Sequence, residues 1–90
     1  MAFADMKLDV PEQNVGPESN AEDLYRAGLN YSSGVGVDVD YVLAHKFFNL
    51  AALRGLADAK QSRKEISEYM SREEISLAQK AAREWLKLAN

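Results

Sequence analysis

The chain has 90 residues, 47% of them hydrophobic, no cysteine and a formal net charge of −3. That length holds one small domain and excludes two, while the missing cysteines exclude disulfide frameworks, thiolate metal sites and cysteine nucleophiles. A net negative charge offers no global basic field for nucleic acid or an anionic membrane, so the expected partners are proteins.

The opening residues MAFADMKLDV have neither a basic n-region nor a long apolar run, so they do not read as a signal peptide. No later stretch approaches membrane-spanning length, and the cytoplasm is the expected location. From Met1 to Ser19 the single basic residue, Lys7, stands against Asp5, Asp9, Glu12 and Glu18, with Pro11, Gly16 and Pro17 interrupting any helical period. Residues 1–18 therefore read as a flexible acidic tail, with Phe3, Met6, Leu8 and Val10 as its docking-capable side chains, and residues 19–90 as a helical domain.

The first helix is expected over about residues 20–32. Ser19 followed by Glu22 matches a capping box, and Leu24, Ala27, Gly28 and Tyr31 then recur on one face. The stretch GVGVD follows at residues 34–38. A dinucleotide fingerprint would need a third glycine where Val39 stands and a strand where this chain has a helix, so that reading fails. Val35, Val37 and Val39 alternate as a strand would, but no other segment offers a partner. Asp38 and Asp40 lack the ligand spacing and closing glutamate of an EF-hand. What remains is a helix-to-helix connector, in which Gly34 ends the first helix left-handed, Gly36 permits a second bend, and Val35 or Val37 plugs the gap.

Asp40 is the expected N-cap of the second helix, whose stripe is Ala44, Phe47, Phe48, Ala51 and Ala52. It ends at Arg54 and Gly55, with Leu56 placed to complete a Schellman contact. A third, more polar helix spans about residues 57–69, keeping Ala59, Ile66 and Met70 at helical spacing with QSRKE on its wet side. Ser71 and Glu74 form a capping box for the fourth helix, Met70 and Ile75 hold staple positions, and Ile75, Ala78, Ala82, Trp85 and Ala89 face inward.

Residues 21–59 resemble the Sel-one-like repeats, which are tetratricopeptide-like helical hairpins of bacterial and eukaryotic α-solenoids. The family pattern is a Leu-Gly pair, a Tyr three residues on, Gly-x-Gly-Val, an Asp, an Ala, an aromatic pair, Ala-Ala, a Gly and a final Ala. Its places are held here by Gly28, Tyr31, Gly34, Gly36, Val37, Asp40, Ala44, Phe47, Phe48, Ala51, Ala52, Gly55 and Ala59. Ala27 stands where leucine is usual and Phe47 where tryptophan is common, both still apolar. From Ala21 to Asp40 is nineteen positions and from Ala57 to Ser71 fourteen, so the second hairpin, lacking the glycine connector, reads as a degenerate terminal cap. The polar face of such an end unit would be Lys80, Arg83, Glu84 and Lys87.

Catalytic signals are weak. His45, the single histidine, has no acid or serine at dyad spacing and reads as solvent-side. Glu73 and Glu74 sit in a helix's first turn, where they offset its positive end. Phe47, Phe48 and Trp85 follow the buried register and read as core, not as a stacking platform for bases. No catalytic, cofactor or metal residue is assigned. The resemblance implies an all-α, tetratricopeptide-like short solenoid of about four helices that binds a protein or peptide as an adaptor or scaffold. A structural homo-oligomer or regulatory subunit is the alternative, and a small enzyme ranks below both. In such solenoids the first helix of each repeat lines the concave surface. The stripe left on the first helix after its core face is removed, Glu22, Tyr25, Leu29 and Ser32, is thus the candidate protein-binding site.

Overall fold

The computed structural model describes residues 15, 16 and 18–89. Most of the expected acidic tail, residues 1–14 and residue 17, lies outside the described residues, as does the side chain of Ala89. The described residues form four helices, α1 (Ala21–Ser33), α2 (Tyr41–Leu53), α3 (Ala57–Ser67) and α4 (Arg72–Ala89), and no strand. Val15, on the tail side of the expected boundary, packs partly buried against the core.

The start of α1 corrects the capping-box expectation. Asn20, not Ser19, is the N-cap, its Oδ1 accepting from the Asp23 N–H at 2.8 Å. Ser19 instead closes the preceding turn, its Oγ accepting from the Gly16 N–H at 2.8 Å and its own N–H donating to the Gly16 carbonyl at 2.9 Å. One face of α1 buries Leu24, Ala27, Gly28 and Tyr31. Gly34 ends the helix at φ 78°, ψ 27°, with its N–H on the Asn30 carbonyl. Gly36 follows at φ 77°, so both glycines take backbone shapes that a Cβ disfavours. Val37 tucks against the core between them and α2, while Val35 and Val39 remain exposed.

Two contacts set the direction of α2. The Asp40 N–H donates to the Tyr31 carbonyl at 2.9 Å at one end, and Arg54 Nη1 donates to the Ser19 carbonyl at the other, so α1 and α2 run antiparallel. Asp40 caps α2 through the Leu43 N–H at 3.0 Å. The end of α2 is a Schellman motif, with Leu56 N–H on the Ala51 carbonyl at 3.1 Å, Gly55 N–H on the Ala52 carbonyl at 3.0 Å, and Gly55 at φ 99°.

The core is organised around α2, which packs against α1, α3 and α4. A helix covered on three sides needs apolar residues around most of its girth. Accordingly α2 buries Leu50 as well as the expected stripe residues Ala44, Phe47, Phe48 and Ala51, together with His45 and Lys46. Tyr31 stacks on Phe47 with centroids 6.0 Å apart, and the Trp85 ring meets Phe47 edge-on at 5.6 Å. Phe47 and Phe48 are thus interior rings, as their register implied, and Trp85 packs half-buried against the core. The Lys46 ammonium lies over the faces of Phe47 and Trp85 at 4.8 and 5.0 Å, so burial of its stem is accompanied by a cation–π contact.

The helix α4 opens with a reciprocal capping box. The Ser71 N–H donates to Glu74 Oε1 at 2.8 Å, and the Glu74 N–H donates to Ser71 Oγ at 3.1 Å. Its buried face carries Ala78 and Ala82, with Ile75 and Trp85 half-buried. Both α3 and α4 pack on α2, and they share little contact with each other. No described helix is long and apolar enough to cross a membrane.

Candidate functional site

Because α3 packs on α2 and reaches α1 through a Tyr25 Oη–Ser62 Oγ hydrogen bond of 3.1 Å, a furrow is left along the line where α1 and α3 face each other. This open groove of about 480 Å³ is lined by Leu29 and Ser32 from α1, Tyr41 and Phe48 from α2, and Ser62, Glu65 and Ile66 from α3. Glu68 and Tyr69, in the turn after α3, complete the wall. Phe48 and Ile66 are buried and form its floor, whereas Leu29 is 41% exposed and Tyr69 73% exposed at its rim. The Tyr41 and Tyr69 rings stand 6.2 Å apart, tilted 46°.

The four residues chosen from the first helix divide in this geometry. Leu29 and Ser32 line the groove. The Ser32 hydroxyl donates to the Leu29 carbonyl at 3.0 Å, which folds it back on its own helix. Tyr25 is partly buried against the core, its ring 5.5 Å from Phe48, so with the Ser62 bond it ties α1 to α2 and α3. Glu22 is exposed in the first turn of α1 and lies outside the groove lining. The residues that sequence reading did not single out, Tyr41, Ser62, Glu65, Glu68 and Tyr69, come from other elements. Nothing in local spacing signals that they meet, although an aromatic such as Tyr69 at a helix end was a visible flag.

On the opposite side α3 presents Lys60, Arg63 and Lys64 around a separate open cavity of about 500 Å³. Arg63 also holds α3 to α2 through a hydrogen bond from Nη1 to Asn49 Oδ1 at 2.6 Å.

His45 departs from its expected solvent-side position. It is 3% exposed, and its Nδ1 has no hydrogen-bond partner. Burial pushes its pKa below the ordinary 6.5, and the nearby Arg63 charge pushes the same way. Trp85 Nε1 is likewise buried without a partner. Neither group reaches the groove. Among the described residues no three His, Asp or Glu side chains are grouped to hold a metal ion.

No family model matches this chain, and neither a curated protein nor a solved structure does.

Proposed function

We propose that the chain is a tetratricopeptide-like, protein-binding module of the Sel-one-like type, and that the groove between α1 and α3 holds a segment of another protein. The observation that carries this reading is the groove itself, a concave channel of mixed polar and apolar lining with Leu29 and Tyr69 exposed at its rim above the Phe48 and Ile66 floor. Exposed large apolar side chains beside a preformed concavity are the usual marks of a recognition surface. The antiparallel α1–α2 pair, joined by the Gly34–Gly36 connector, and the placement of α3 beside α1 support the repeat-type reading. An adaptor role is the reading that such a surface supports.

Photo-crosslinking tests the proposal. A benzoylphenylalanine in place of Tyr69 is compared with one in place of Leu88, which is also exposed but lies on α4. Partner protein should cross-link at position 69 and not at 88, with the melting temperature of both variants unchanged. Equal capture at the two positions, or none at 69, contradicts it.

A further inference from the structure

We infer that the occupant of the groove is a peptide segment that sets a lysine or arginine beside an apolar side chain. The inference rests on the protein-binding reading above and adds the chemistry of the partner. Both charged residues in the lining, Glu65 and Glu68, are acids, and both are exposed. Glu65 Oε2 accepts one hydrogen bond, from Gln61 Nε2 at 3.2 Å, which leaves carboxylate lone pairs for a ligand. The same stretch of wall carries the Tyr41–Tyr69 ring pair. A cation set against a tyrosine face and a carboxylate gains from both, while an acidic segment would meet like charge with no cationic side chain in the described lining to offset it. The adjoining Leu29 and Ile66 provide the apolar subsite. This acidity is local. The basic side chains of α3, Lys60, Arg63 and Lys64, line the other cavity, so α3 sorts its charges by side and turns only carboxylates to the groove.

A random heptapeptide phage library selected on the full-length chain tests the inference, keeping only peptides that fail to bind a Leu29→Ser/Tyr69→Ser variant. The retained peptides should carry Lys or Arg next to Leu, Ile, Met or an aromatic residue. Measured by titration calorimetry, a synthetic copy should lose about three- to tenfold in affinity on Glu65→Gln/Glu68→Gln and weaken with added salt, as exposed charge pairs do. Groove-dependent peptides that are acidic or uncharged, or an affinity that the double Gln change leaves intact, overturn the assignment of a cation and leave the binding module standing. A library yielding no groove-dependent peptide overturns the binding reading itself. Sedimentation as a dimer that Tyr69→Ser dissociates would give the groove to a second copy. A Lys7→Glu change that moves the Leu29 and Tyr69 amide resonances without peptide would give it to the chain's own residues around Met6 and Leu8. Either result overturns the external partner.

Discussion

Gly28 lies where α1 meets α2, and a Cβ there would come within 2.6 Å of Phe48 Cδ1 and Cε1. Phe48 is 2% exposed and cannot swing aside without disturbing Tyr25, whose ring it touches. Gly28→Ala should therefore act as overpacking and cost about 1–3 kcal/mol. In a chain of this size that lowers Tm by about 4–8 °C per kcal/mol, measurable by thermal denaturation. An unchanged Tm would mean that the helices separate freely at this point. His45 has a different consequence. Its folded-state pKa is depressed, so as pH falls below the unfolded value of about 6.5 the unfolded chain takes up a proton that the folded chain resists. Stability should be level above about pH 7 and decline from about pH 6.5 toward the lower folded pKa, and His45→Leu should flatten that decline. Equal slopes for the two proteins would show that other groups set the acid limb. The burial of His45 was not legible in local sequence. A histidine flanked by core positions looks solvent-facing when a helix is assumed to have one buried side, and α2 has three neighbours.

The elements themselves were legible wherever the signal was chemical and local. The Ser71–Glu74 box, the Asp40 cap and the Gly55 Schellman end all depend on residues within five positions of each other, and each occurs where the spacing placed it. At α1 the spacing of Ser19 and Glu22 pointed to Ser19 as the cap, whereas Asn20 holds that place, and only a contact outside the pattern can draw Ser19 away. The turn at Gly16 does so by engaging Ser19 Oγ. Asn20→Ala should accordingly cost about 1 kcal/mol, the usual loss of an N-cap, while Ser19→Ala costs less, because α1 keeps its cap. Chemical denaturation of the two variants decides it, and the reverse order of midpoints would restore Ser19 as the cap. The end of α3 was less legible. It stops at Ser67, two residues short of expectation, because Tyr69 and Met70 close tight turns onto Ile66 and Ser67 with N–H···O distances of 3.0 and 3.2 Å.

For the whole molecule, the central position of α2 explains both the core and the groove. With α1, α3 and α4 all packed on it, α1 and α3 become neighbours across a shallow channel, and α4 closes the far side through Trp85. Two of the nine residues lining the candidate surface were legible in the sequence as surface residues, since Leu29 and Ser32 fall on a stripe of α1 that its core face leaves over. The remainder was not, because Tyr41, Glu65 and Tyr69 reach it only through tertiary packing. Tyr25 shows the same limit from the other direction. Its place on the stripe suggested a free side chain, yet its ring and hydroxyl bind α1 to Phe48 and Ser62, so replacing it would test the fold and not the surface. Leu29 and Tyr69, exposed at the rim, separate the two questions. The most direct measurement is the affinity of a groove-selected or cross-linked partner for the Leu29→Ser/Tyr69→Ser chain, read together with its thermal melt. Loss of two apolar contacts worth about 1–2 kcal/mol each predicts an affinity lower by at least about tenfold with Tm held within a few degrees. An affinity equal to that of the unaltered chain, in a variant that melts normally, would contradict the assignment of the α1–α3 groove as the binding surface.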